Sequence, residues 1–141
     1  MTRWMKPTLD TKFHIDFDWW KQNRRSLRVY LHRHLCKSCR ELYPSHRGWE
    51  MVDWIDPDTA EVHQVDGLWQ ALRTHCSLEP DYIMDSTPLT SAVFRVFLAN
   101  GNVPMSPEEL SVHIHKPADQ VLRVLTHGRV YEGIKPLAPR A

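Results

Sequence analysis

Leu35-Cys36-Lys37-Ser38-Cys39-Arg40 is the stretch on which the reading of this chain turns. Two cysteines separated by two residues can aim both thiolates at one point, which is half of a tetrahedral zinc site. The chain has one further cysteine, Cys76, far downstream. If Cys76 joins the pair, the segment between must fold back on itself and be fixed by one ion. A structural zinc takes a fourth ligand. His34 is preferred, because it extends the inward stripe of the preceding helix and stands two residues before the pair. His32 shares a face with Cys36 if that helix continues, and His46 could reach in from the following loop. His75 adjoins Cys76, and neighbouring residues rarely point at one ion. The predicted set is therefore Cys36, Cys39, Cys76 and His34 around a structural zinc. Two readings compete with it. Free cysteine is among the most buried residue types, so three buried thiols need no metal. A redox dithiol would want a thioredoxin-like βαβ pattern, which is missing.

Upstream of the pair, Asp16 caps a predicted helix from Phe17 to Leu35. Phe17, Trp20, Leu27, Leu31 and His34 fall near one stripe at three- and four-residue steps, with Arg24 interrupting it; such a stripe is core packing. The first dozen residues show no periodicity and read as an arm. Downstream, Leu42 to Gly48 is a loop. Trp49 to Asp66 is a β-hairpin turning at Asp56-Pro57-Asp58-Thr59, where proline presets φ for a type I turn. A second helix, about Gly67 to Ser77, carries Leu68, Leu72, His75 and Cys76 along one side, and Pro80 ends it.

The last 57 residues carry clearer local signals. A helix is predicted over Leu89 to Ala99, stopped by Asn100-Gly101. Ser106 is then an N-cap, Pro107 occupies the first helical position and Glu109 completes a capping box. Met105 and Leu110 stand where a hydrophobic staple belongs. This helix runs to about Ile114. Lys116-Pro117 breaks it and starts another, Pro117 to His127, with Ala118, Val121, Leu122 and Leu125 inward. Arg129-Val130-Tyr131 and Ile134-Lys135-Pro136 are expected to pair as a small hairpin across Glu132-Gly133.

The segments Met105-Ser-Pro-Glu-Glu-Leu-Ser and Pro117-Ala-Asp-Gln-Val-Leu-Arg-Val-Leu resemble the second and third helices of the winged helix–turn–helix superfamily. The resemblance covers about the last 55 residues. The turn holds His115-Lys116-Pro117 where a small residue is frequent, and the wing is very short. What the resemblance implies is binding of double-stranded DNA through the third helix. Asp119, Gln120, Arg123, Thr126 and His127 would face outward, Arg129 would lie in the wing, and Lys116 would hold a phosphate.

Charge qualifies that implication. From Gly101 onward five Lys/Arg face four acids, so the module is close to neutral. Lys21 to Arg47, by contrast, holds eight Lys/Arg against one acid, and Glu50 to Asp66 holds six acids and no Lys/Arg. Either these two segments face each other, or Arg24 and Arg28 on the first helix supply phosphate contacts the module lacks. The net charge of +1 over 141 residues implies no partner by itself.

The predicted fold class is α+β. An N-terminal helix, a zinc-knuckle-like Cys-x2-Cys turn and a β-hairpin (residues 1–84) precede a small winged helix–turn–helix unit (residues 85–141). Met1 to Asp18 has no apolar run, and no stretch approaches a membrane span. A reducing, cytoplasmic setting is expected, with cysteines as ligands or buried thiols and not as disulfides. The leading function is a zinc-stabilised DNA-binding protein that regulates transcription, with a homodimer as one way to gain charge. The alternative is a zinc-stabilised adaptor that uses the same module to bind protein. An enzyme is not predicted: no Ser-His-Asp order, phosphate loop or paired-carboxylate constellation is legible, and a hydrolytic metal site among the nine histidines ranks third.

Overall fold

The fold, a computed structural model, describes residues 6–42, 51–55, 59–128 and 130–137. In chain order its elements are β1 (Phe13–Ile15), α1 (Phe17–Gln22), α2 (Leu27–Arg33), α3 (Lys37–Leu42), β2 (Met51–Ile55), β3 (Val62–Asp66), α4 (Gly67–Thr74), a 3-10 turn (Cys76–Leu78), α5 (Leu89–Asn100), α6 (Pro107–Ile114), α7 (Ala118–Thr126) and β4 (Ile134–Pro136). The class is α+β, with two separate two-stranded sheets. Among the described residues no helix is long and apolar enough to cross a membrane.

The chain divides into two units. One comprises Met1–Arg25 and Ile83–Ala141; the other is Ser26–Tyr82. The arm and α1 belong to the same unit as the C-terminal helices. The cause is β1. Its three residues are too short for a periodicity signal, yet their backbone is bonded on both edges. Phe13 and Met105 exchange N–H···O bonds of 2.8 and 3.0 Å. On the other edge β1 pairs antiparallel with β4, Ile15 opposite Ile134. The Asn102 side chain closes the end: its Oδ1 accepts from Ile15 N–H at 2.8 Å and its Nδ2 donates to Ile15 C=O at 2.9 Å. Burying Phe13 and Ile15 almost completely adds about 1.5–3 kcal/mol each.

The predicted hairpin of residues 129–131 with 134–136 is therefore corrected: β4 takes β1 as its partner. Arg129 lies outside the described residues. The turn itself is present, with Ile134 N–H donating to Tyr131 C=O at 2.9 Å and positive φ at both Glu132 and Gly133. Gly133 is required there. A Cβ would lie 2.8 Å from Trp20 Nε1 and 3.1 Å from Asp16 C=O.

The single long helix over Phe17–Leu35 is also corrected. α1 ends at Gln22 with Asn23 as its C-cap, Arg24 takes a left-handed φ of 53°, and Ser26 starts α2 by accepting from Val29 N–H at 3.3 Å. Asn23 closes α1 by donating from Nδ2 to Trp19 C=O at 2.8 Å, and Ser is a good N-cap for the next helix; together they outweigh the apolar stripe. Trp20 then packs edge-on against Phe94 in the first unit, while Leu31 is buried in the second. Arg25 stacks over both Trp19 and Trp20 and pairs with Glu132 at 2.8 Å.

The C-terminal helices follow their local signals. Gly101, at φ 77°, ends α5 in the left-handed cap. The capping box of Ser106 and Glu109 is complete, and Met105 and Leu110 are buried as a staple requires. α5, α6 and α7 pack on one another around Phe94, Phe97, Leu110 and Val121, all fully buried. In the second unit α4 packs on α2 and follows β3, and Leu31, Leu35, Leu68 and Leu72 form a small core. Strands β2 and β3 pair as predicted, Met51 opposite Asp66. The Leu42–Gly48 loop beyond its first residue, and the turn at 56–58, lie outside the described residues.

Candidate metal centre and helix–turn–helix face

Cys36 sits just before α3, and its C=O accepts from Arg40 N–H at 2.9 Å. Cys39, three residues on, is therefore on the same side of that first turn. The Arg40 side chain folds back onto the end of α2, donating from Nε to Leu35 C=O at 3.0 Å and from its guanidinium to Arg33 C=O at 2.8 Å. Those carbonyls are left without helical partners where α2 stops. This clamp ties α3 back to the end of α2 beside the Cys-x2-Cys segment.

The other half comes from the end of α4. That helix stops at Thr74, and His75 takes φ −126° and ψ −62° before the 3-10 turn begins at Cys76. The break removes the roughly 100° splay that a regular helix imposes on neighbours. His75 and Cys76 can then converge on one point. The expectation that adjacent residues would not do so assumed a continuous helix through Ser77.

Cys36, Cys39, His75 and Cys76 each place one ligand atom within 4.8 Å of all the others. His75 Nδ1 lies 3.4 Å from Cys36 Sγ and 3.5 Å from Cys39 Sγ. Around a tetrahedral zinc, bonds of about 2.3 Å to sulfur and 2.0–2.1 Å to nitrogen make sulfur–nitrogen edges of about 3.6 Å. Three sulfurs and one imidazole nitrogen thus have the spacing and the chemistry to hold one metal ion. Cys39 and Cys76 are buried, Cys36 half-buried and His75 exposed. All three cysteines are free of disulfides.

Ionisation of the thiols follows their surroundings. Burial pushes the Cys76 thiol up to about 12, offset only in part by the Cys36 N–H that donates to its sulfur. Burial likewise raises Cys39. At Cys36 burial opposes ionisation, but hydrogen bonds from the Ser38 hydroxyl, the Cys39 backbone and the two other thiols outweigh it and bring the group to about 6. The three thiols thus differ in acidity, Cys36 ionising most readily, and a bound cation would favour the thiolate form of each.

Of the predicted ligands, Cys36, Cys39 and Cys76 come together. His34 stands apart. It is the C-cap of α2, buried, with its ring 4.7 Å from that of Tyr30 on its own helix. Because α2 ends at Arg33, the stripe that pointed His34 inward does not reach the cysteines. His32 is half-buried on α2 and is not in the cluster, and His46 lies outside the described residues.

The predicted nucleic-acid face belongs to the first unit. Asp119, Arg123 and Thr126 are exposed at four- and three-residue steps on α7, opposite the fully buried Val121; His127 follows, also exposed. Gln120 is half-buried. Lys116 is half-buried, with Nζ 3.4 Å from Asp85 C=O. Arg24 and Arg28 do not share a helix: Arg24 is in the break after α1, and Arg28 is half-buried on α2 in the other unit. One residue that the sequence reading passed over is Lys6, in the arm, which lines a cavity with residues of α7. Charge was its only signal. Comparisons with family models, with curated proteins and with solved structures each found no match.

Proposed function

We propose that this chain is a zinc-stabilised helix–turn–helix protein that binds double-stranded DNA through α7. The observation that carries the reading is the exposed face of that helix. Arg123 and Thr126 project from a helix held by Val121 beneath, after a tight turn from a second, well-capped helix. A recognition helix needs this division, since only side chains with no packing role are at liberty to meet base edges. β1 and β4 flank the helices as a short sheet, as in a winged helix, with the N-terminal strand standing in for one strand of the wing.

Zinc is the metal this donor set suits, because thiolates and one imidazole in a four-coordinate arrangement favour it. Four protein ligands leave no position for a substrate water, so its role is structural. It would hold α3 to the end of α4 in a unit whose apolar core is small.

The test is a duplex titration of the zinc-loaded chain at several salt concentrations. Arg123→Ala should weaken specific binding and relax preference at one base position, by about 1–3 kcal/mol of discrimination if the contact is bidentate. Gln120→Ala should act on a neighbouring position. A second reading, a zinc-stabilised adaptor, is favoured by Val112, 71% exposed on α6, and by the module's near neutrality. It takes over if no duplex binds at low salt.

A further inference from the structure

Between the N-terminal arm and α7 lies an open cavity of about 330 Å³. Lys6 lines it from the arm; Leu122, Arg123 and His127 line it from the helix, together with Asp119. Lys6, Arg123 and His127 are all exposed. The cavity thus presents two permanent cations and an imidazole against one carboxylate, over a floor that includes the half-buried Leu122.

We propose that this cavity is a phosphate-binding site and that its occupant is a backbone phosphodiester of the DNA that α7 reads, an inference that rests on the DNA-binding reading. The chemistry is that of an anion held by the Lys6 ammonium from the arm, with the imidazole of His127 across the cavity as a further donor. Lysine gives phosphate oxygens a point charge, and Arg123, whose fork is directed to the bases, adds positive charge at the rim. A free phosphomonoester has the same recognisable group. Position favours the backbone: Arg123 belongs both to the cavity and to the exposed face of α7, so a duplex in contact with that face carries its phosphates past Lys6. Base contacts specify and phosphate contacts position. The arm would therefore set the register of the helix on the duplex and supply charge that the C-terminal half lacks.

The experiment uses the whole 141-residue zinc-loaded chain. Duplex affinity is measured against salt for the wild type, Lys6→Ala and Lys6→Arg. Inorganic phosphate is titrated separately while side-chain NMR signals of Arg123 and His127 are followed. Lys6→Ala is expected to weaken binding to all sequences alike and to lower the salt slope by about one unit, with Lys6→Arg retaining both. Lys6 is exposed on the arm, so neither variant threatens the core. If duplex binds, Lys6→Ala changes nothing and phosphate moves neither signal, the inference is overturned while the DNA reading stands. If no duplex binds but phosphate moves those signals and Lys6→Ala abolishes the shift, the site is a phosphate site with a free occupant, and the backbone assignment and the DNA reading both fail. If neither ligand binds, both are overturned.

Discussion

The backbone N–H of Cys36 donates to the Sγ of Cys76 across 3.2 Å, joining residues forty positions apart in the chain. This bond has a direction: it favours negative charge on a sulfur that burial otherwise keeps protonated. It also orients Cys76 toward the turn holding the other two thiols. The bond thus favours the charge state in which Cys76 could ligate a cation.

The first prediction is one zinc per chain, lost on chelation. Cys39→Ser and Cys76→Ser should each abolish stoichiometric metal by elemental analysis. His75→Ala should weaken metal binding sharply, whereas His34→Ala should leave metal content unchanged. Zinc at a thousandfold excess over its dissociation constant adds about 4 kcal/mol of stability, so chelator should lower the melting temperature by roughly 10 °C or more. Protein purified without chelator and found metal-free would refute the site.

Arg40 is expected to matter although it touches neither metal nor core. Arg40→Ala removes two charge-assisted bonds to the carbonyls of Arg33 and Leu35. The exposed position limits the loss to about 1–2 kcal/mol. Because the clamp ties α3 back to α2 beside the Cys-x2-Cys segment, zinc affinity should fall in the same variant. A change in stability with metal affinity intact would show that α3 is oriented by other means.

His115 occupies the left-handed region at φ 57° and ψ 39°, ending α6. A residue with a Cβ costs roughly 1–2 kcal/mol there, and a β-branched one more. His115→Gly relieves that cost but adds a similar unfolded-chain entropy, so stability should change by only about 0.5 kcal/mol. His115→Val should lose about 1–2 kcal/mol. Denaturant unfolding of the two variants separates these outcomes.

Acid should weaken the start of α6. The Lys12 ammonium, then the Ser106 N–H, hold the Glu109 carboxyl below its ordinary value of 4.5. A carboxyl depressed by folding contributes stability that is present above the unfolded pKa and lost as pH falls through the folded one. Wild type should therefore be more stable than Glu109→Gln near neutral pH. The difference should shrink as pH drops below about 4.5. Melting curves across that range that keep a constant gap would contradict the assignment.

Much of the fold was legible in residue order because its signals act over a few positions. The Ser106–Glu109 box, the Gly101 stop and the β2–β3 pairing each depend on residues close in the chain, and each appears as read; the Cys-x2-Cys segment, expected as a tight turn, instead opens the short helix α3. Three further features were decided by tertiary structure. β1 was invisible because three residues carry no period; its edges are filled by Met105 and β4, contacts that only the assembled unit provides. The expected long first helix yielded to an Asn–Ser break whose cost is recovered by burying Trp20 and Leu31 in different units. The choice of His75 over His34 turned on one backbone break after Thr74. Composition and spacing name the residue types able to ligate a metal, but which of them meet depends on where helices stop, and that is settled by the packing around them.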